Sequence, residues 1–211
     1  MRAVEPSTLT GKSDLKLPEF DSPPSDPIAL LNEWLDFAER TEVLEPRAMV
    51  LATAGTDAAP STRVVLVKAV DEAGLVFGTN GHSRKGRESS QSATAAGTFY
   101  WRETMQQINI AGRIEKLTPD ESDRLFSQRP ERAKAATRVS RQSEPLDSAD
   151  DLHRRFADDL ASGDDSRPAG WSGYRLRIER IEFWHGNTDR LHRRLEYTLD
   201  SSGWRSRRLQ P

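Results

Sequence analysis

Four cations lie close together in the first half of the chain. Arg63 and Lys68 sit at the ends of a β-branched run, and Arg84 and Lys85 follow Ser83 shortly after Thr79-Asn80-Gly81. Ser83 to Gln91 reads as a short helix, which puts both cations in its first turn. A helix start offers unpaired N–H groups and positive potential, so two cations there make an anion site, above all for a phosphate. Taken alone, a basic helix start is more often simply solvated. The surrounding stretch, 63–141, holds 14 Lys/Arg and 9 Asp/Glu, a net of +5. A second dense segment runs from Phe183 to Arg194. Trp184 offers a flat face there, and Arg190, His192 and Arg194 offer donors at alternate positions. In an extended chain such positions point to one side. An edge strand carrying solvated arginines fits the same pattern equally well.

Other chemistries are poorly supplied. The histidines are His82, His153, His185 and His192, and none forms an i, i+4 metal pair. Cysteine is absent, which removes thiolate metal sites, disulfides and cysteine nucleophiles. There is no Gly-x-Ser-x-Gly elbow and no glycine-rich phosphate loop. An enzyme built this way leaves the reaction to a bound organic cofactor, and no metal is expected.

The elements that must position these groups follow from periodicity. Residues 1–26 are rich in Pro, Ser, Thr and Asp and read as a flexible N-terminal arm, with one domain over 27–211. Asp26-Pro27 caps an amphipathic helix over 27–41. Ala48–Thr53 and Arg63–Val70 read as strands. Asp71–Gly74 is a hairpin turn, and Leu75–Thr79 is the returning strand. Ala93–Trp101 with Met105–Leu117 makes a second hairpin. Thr118-Pro119-Asp120-Glu121 opens helices at about 119–128, 131–139 and 148–161. Gly173–Trp184 is a long strand with a slip in alternation between Ile178 and Ile181, the mark of a bulge. Arg194–Leu199 and Trp204–Leu209 form a last hairpin. Close-spaced strands joined by turns argue for an antiparallel sheet closed into a barrel, mainly β with flanking helices. The segment 144–166 carries eight acids against two arginines and reads as a solvated helix and loop.

Composition sets outer limits. The chain has 211 residues and a net charge of −2, so a nucleic-acid partner is not expected. No apolar run is long enough to span a membrane and no leader is evident, so a cytoplasmic location is expected. A hydrophobic content of 35% is low for this size and leaves room for core completed by a partner chain.

The spaced motifs resemble the pyridoxamine 5′-phosphate oxidase family of FMN-dependent split-barrel enzymes. They are Pro46–Thr53, Arg63–Lys68, Phe77-Gly78-Thr79-Asn80, Ser83-Arg84-Lys85, Gln107 before Gly112, Arg129-Pro130, Val139–Ser143, Phe183-Trp184 through Arg194, and the closing Arg208-Leu209-x-Pro211. The resemblance implies an antiparallel, Greek-key split barrel that forms a homodimer with FMN at each of two subunit interfaces. It implies that Arg63, Ser83, Arg84, Lys85, Gln142 and Ser143 hold the phosphate and ribityl chain. Val64, Val65, Leu66, Lys68, Gly78, Thr79 and Gln107 would line the flavin, and Trp184 and Arg194 would come from the second chain. Arg190 and His192 would orient the substrate and assist proton transfer, with Lys68 and Arg129 available to its anionic group. The vitamin B6 enzymes add a Tyr and a Ser to that phosphate grip, where this chain has Leu125 and Ala133. Two lost hydroxyl donors favour a carboxylate over a phosphate. Tyr100–Thr104, Gln106-Gln107-Ile108 and Val139–Glu144 resemble instead the phenazine-biosynthesis branch of the family. That branch implies an oxidase of reduced, partly hydrogenated phenazine carboxylic acids with O2 as acceptor. The alternative is a pyridoxamine/pyridoxine 5′-phosphate oxidase.

Overall fold

The computed structural model describes residues 11–12 and 14–211. Nine strands form one antiparallel sheet: β1 (Ala48–Ala54), β2 (Pro60–Leu66), β3 (Ala69–Asp71), β4 (Gly74–Asn80), β5 (Thr94–Trp101), β6 (Gln106–Lys116), β7 (Trp171–His185), β8 (Arg193–Asp200) and β9 (Gly203–Arg208). Five helices flank it: α1 (Pro27–Arg40), α2 (Arg84–Gln91), α3 (Pro119–Ser127), α4 (Glu131–Val139) and α5 (Ala149–Ser162). Among the described residues no helix is long and apolar enough to cross a membrane.

The strand order explains why the sheet curls. Its main path is β2-β1-β5-β6-β7-β4-β3, so β2 and β3 are the two ends. Yet they are consecutive in sequence, joined only by Val67 and Lys68. A two-residue link cannot cross a flat seven-stranded sheet, so the sheet rolls until its ends approach. Lys68 N–H donates to Val76 O of β4 at 2.7 Å across the seam. No ladder joins β2 to β4, which leaves the barrel split there. The run 63–70, expected as one strand, is therefore two: the chain leaves one edge at Leu66 and joins the other at Ala69. Continuous β propensity carries no mark of where a strand changes partner.

β7 holds the barrel together. Its first half pairs with β4, its second half with β8, and β6 runs along its other edge throughout. The expected bulge is present. Ala111 pairs with Arg180 and Gly112 with Ile178, leaving Glu179 as the extra residue. Leu176 and Ile178 thus face the core, as do Ile181 and Phe183, despite the change of parity. Gly112 allows the close approach, since a Cβ there would lie 1.8 Å from Arg177 O.

The core is the barrel interior capped by α1. Asp26 accepts from the N–H groups of Ile28 and Ala29, and Pro27 begins the helix. Its Leu31, Trp34 and Leu35 are buried, with Trp34 edge-on to Phe183 at 5.0 Å. The arm expected over 1–26 is packed where it is described. Leu17 and Phe20 are buried core residues, Glu19 accepts from Trp34 Nε1 at 2.7 Å, and Arg193 stacks over Phe20. Two apolar anchors spaced among polar residues suffice to dock a Pro-rich segment whose composition reads as disorder. Residues 1–10 of that expected arm lie outside the described residues.

Candidate active site

The barrel seam opens into a cleft of about 500 Å³ lined by Val64, Val65, Leu66, Lys68, Gly78, Thr79, Lys85, Leu125, Arg129, Ala133 and Gln142, among others. An adjoining lobe of about 370 Å³ shares Gly78, Thr79, Arg129, Ala133 and Gln142 and adds Thr137 and Trp171. β2 and β4 supply the apolar wall, α2 the cationic end, and the start of α4 the far side. Gly78 is required by the wall: a Cβ there would lie 2.2 Å from the Trp171 ring.

The cationic end is organised by one carboxylate. Glu88 is buried on α2 and accepts from Thr53 Oγ1 and Ser61 Oγ, both at 2.6 Å. It also pairs with Arg84 at 2.8 Å and Arg63 at 3.3 Å. Burial alone would push the Glu88 carboxyl up. The hydrogen bonds from Ser61, Thr53, Arg84 and Arg63 outweigh it and hold it at about 2. Arg63 is fixed further by Leu51 O and Thr53 Oγ1. Sequence reasoning missed Glu88, although its place four residues after Arg84 in a basic helix was a signal for a cation-holding carboxylate.

Lys85 is only 8% exposed, and its Nζ reaches nothing but the hydroxyls of Thr79 (3.2 Å) and Ser83 (3.5 Å). Burial and the nearby Arg63 push its ammonium below the usual lysine range, and Glu88 only partly offsets them. The loop after α4 brings Ser143, in left-handed backbone, so that its Oγ accepts from the Arg84 N–H at 3.1 Å. Gln142 Oε1 accepts from Thr79 Oγ1 at 3.4 Å. Three cations (Arg63, Arg84, Lys85) thus face one carboxylate, a local charge of +2. A phosphate monoester, at about −1.5 to −2, would neutralise it. The residues present fit a phosphorylated cofactor with an apolar ring: cations at one end, β-branched wall at the other.

Ser83, expected among the cofactor ligands, is fully buried. Its hydroxyl donates to Asn80 O at 2.7 Å and caps α2 by accepting from the Gly86 N–H. It sets the helix start and has no donor left for a ligand.

The remaining expected residues form a second group that does not line the cleft. Gln107, Trp184 and Arg194 stand side by side on β6, β7 and β8. Gln107, expected with the Val64 wall, belongs here instead. Arg194 is locked to Glu182 at 2.7 and 3.0 Å. His192 packs on Trp184 with ring centroids 4.8 Å apart, and its Nδ1 accepts from the Asn187 N–H. Arg190 projects from the turn 187–190 in left-handed backbone. Val64 at the cleft rim shares one outward face with this second group, because Val64, Val50, Thr98, Tyr100, Gln107, Trp184 and Arg194 follow in register across β2-β1-β5-β6-β7-β8. The cleft lies at the margin formed by β2, and the second group lies three to five strands away on β6, β7 and β8. Apolar side chains are exposed at the cleft rim, Val64 60% and Leu66 49%, and next to it on the face, Val50 43% and Tyr100 51%. An apolar face of this kind marks an interface.

Comparison with known proteins agrees. Residues 35–185 match the profile described as pyridoxamine 5′-phosphate oxidase, and residues 171–211 match the pyridoxine 5′-phosphate oxidase C-terminal dimerisation region. The protein is accordingly a homodimer. It is 41% identical to the dihydrophenazinedicarboxylate synthase of Pseudomonas chlororaphis over 97% of this chain and 92% of that one. It is 44% identical to a pyridoxine/pyridoxamine 5′-phosphate oxidase of Rubrobacter xylanophilus over 90% and 89%. The crystal structure of PhzG from Burkholderia lata in complex with tetrahydrophenazine-1-carboxylic acid superposes with a TM-score of 0.93 at 42% identity, covering 95% of this chain and 100% of that one. Fold, profile matches and full-length relatives together place this split-barrel chain in the pyridoxamine 5′-phosphate oxidase family.

Proposed function

We propose that the protein is an FMN-dependent oxidase of reduced phenazine carboxylic acids. The observation that carries this reading is the lining around Arg129. Leu125 and Ala133 border the cleft where a phosphate grip would need hydroxyl donors, while Lys68 and Arg129 remain. Among the described residues neither cation forms an ion pair. Two cations without hydroxyl donors suit a carboxylate. The synthase relative and the ligand of the PhzG structure support a flat tricyclic acid.

Arg63, Arg84, Lys85, Gln142 and Ser143 would hold the FMN phosphate and ribityl chain, with Val64, Val65, Leu66, Gly78 and Thr79 against the ring. When bound, FMN would supply the two-electron redox chemistry, with dioxygen as the final acceptor. The chain's own residues orient and move protons. In an isologous dimer each margin of the shared face meets the opposite margin of the partner. Gln107, Trp184, Arg190, His192 and Arg194 of one protomer would therefore complete the cleft of the other. Trp184 fixes the His192 ring by contact, and the Asn187 N–H occupies Nδ1. Nε2 is then the nitrogen left to exchange a proton with substrate. Arg190 would orient the acid, and closure of the partner's face would exclude water from the transfer.

The FMN-loaded enzyme is assayed in air with a tetrahydrophenazine-1-carboxylate and with pyridoxamine 5′-phosphate. Two unmet hydrogen bonds, at about 1–3 kcal/mol each, predict kcat/KM at least ~30-fold higher for the phenazine acid, with one peroxide per turnover. Equal turnover would establish the second reading, a vitamin B6 oxidase, which the Rubrobacter relative favours.

A further inference from the structure

Arg129 is held in an unusual way for a receptor of anions. Its guanidinium lies over the Trp171 ring at 5.2 Å and near Phe126 at 5.9 Å. Nη2 donates to Thr137 Oγ1 at 2.9 Å and to Ala133 O at 3.2 Å, while Nε is buried with no partner. Burial pushes the guanidinium below the usual arginine range. A buried donor left unpaired costs stability, so this placement serves something other than the fold.

Thr137 explains the placement. Its hydroxyl donates to Ala133 O at 2.7 Å, one helical turn back, and accepts from Arg129. Its single proton is spent on the helix and a lone pair on the guanidinium, so it has no hydrogen to offer a ligand. α4 thus carries a hydroxyl at 137 that grips Arg129, and none at 133 that could grip an anion. Trp171 completes the clamp from β7, stacked edge-on to Phe126 at 5.0 Å. On this side of the cleft the cationic lining residues are Arg129 and Lys68. Two cations suit the single charge of a carboxylate, whereas a phosphate monoester loses the hydroxyl hydrogen bonds that Leu125 and Ala133 do not supply.

We propose that Thr137 is a positioning and specificity-determining residue: it clamps Arg129 against Trp171 so that the cleft takes a planar aromatic carboxylate and disfavours a phosphate monoester. This inference rests on the functional reading above, and the test separates the two.

The FMN-loaded dimer of wild type, Thr137→Val, Thr137→Ser and Ala133→Ser is titrated with phenazine-1-carboxylate and with pyridoxal 5′-phosphate, following the absorbance of the bound flavin. Thr137→Val is expected to weaken phenazine-1-carboxylate ~tenfold and, in turnover of tetrahydrophenazine-1-carboxylate, to raise KM more than it lowers kcat, whereas Thr137→Ser stays within ~twofold. Ala133→Ser is expected to strengthen pyridoxal 5′-phosphate ~tenfold. Should the valine variant fail to fold, Thr137→Ala replaces it against the same serine rescue. Unchanged carboxylate binding in the hydroxyl-free variant overturns the clamp. No gain for phosphate in Ala133→Ser overturns the specificity claim. Wild-type protein that prefers pyridoxal 5′-phosphate overturns the functional reading. The clamp is then judged on that ligand, and stands only if losing the hydroxyl weakens it.

Discussion

Of the four charges gathered around the start of α2, three keep their state across the usable pH range. Arginines stay protonated, and Glu88, held at about 2, stays ionised. Lys85 is the member free to change, because burial and Arg63 lower its pKa from the usual value. Only the charged amine attracts a phosphate. FMN affinity is therefore highest below the lowered Lys85 pKa and falls as pH rises through it. The phosphate itself is a full dianion above pH ~7 and contributes no slope there. A charge-assisted hydrogen bond is worth about 1.5–3 kcal/mol, so Lys85→Met should bind FMN ~10- to 100-fold more weakly at neutral pH. Its affinity should also be flat where the wild type declines. Flavin fluorescence titrations from pH 7 to 10 measure both. A wild-type curve with the same slope as the variant's would remove Lys85 from the phosphate site.

At the scale of elements, α5 shows how a helix with no buried residue is still held in place. Arg138 of α4 grips Asp159 through contacts of 2.7–3.1 Å, with both side chains largely buried. Lys134 meets Asp165 at 2.6 Å, and Arg155 caps Val139 O. The loop between α4 and α5 carries Gln142 and Ser143, so this pairing fixes both ends of the loop proposed to hold the cofactor. Removing one partner of a buried ion pair costs about 3–5 kcal/mol. Asp159→Ala should therefore release α5 locally while the barrel stays folded. The expected result is faster amide exchange over 140–162 and FMN binding weakened several-fold, with strand amides unchanged. Protection of 140–162 equal to wild type would show that the ion pair is not what holds the helix. Local signals made such elements legible. Asp26-Pro27 caps α1, and Thr118 with Glu121 forms a capping box on α3, both as the residues predict. The parity slip at Glu179 announced the bulge in β7. What stayed hidden depends on distant partners. The break at Val67-Lys68 exists because two sheet edges meet, and Glu88 gathers Thr53 of β1, Ser61 and Arg63 of β2 and Arg84 of its own helix from three separate elements. The acidic segment 144–166 looked solvated, yet three of its acids, Asp159, Asp164 and Asp165, are tied to α4.

At the scale of the whole molecule, the two groups of site residues sit at two margins of the sheet, the cleft beside β2 and the second row on β6, β7 and β8. Within a protomer the second group does not line the cleft that holds the first. The sequence showed both groups but not their separation, since strand order is set by pairings far apart in the chain. A dimer formed through the bare apolar strip between the margins brings each group onto the partner's other group. Flavin binding and dimerisation then become one equilibrium, because ligand bound at the seam stabilises the dimer by mass action. Val50 lies in that strip on β1 and does not line the cleft. Val50→Glu places a charge where the interface must be dry, a cost of several kcal/mol without a partner. The variant should run as a folded monomer by light scattering and lose most of its yellow colour on gel filtration. Added FMN should restore dimer and colour together only at much higher concentration. A folded monomer that keeps FMN at wild-type affinity would refute a composite site. An unperturbed dimer would place the interface on another face, and either result would dissolve the link between Trp184 and the partner's cleft.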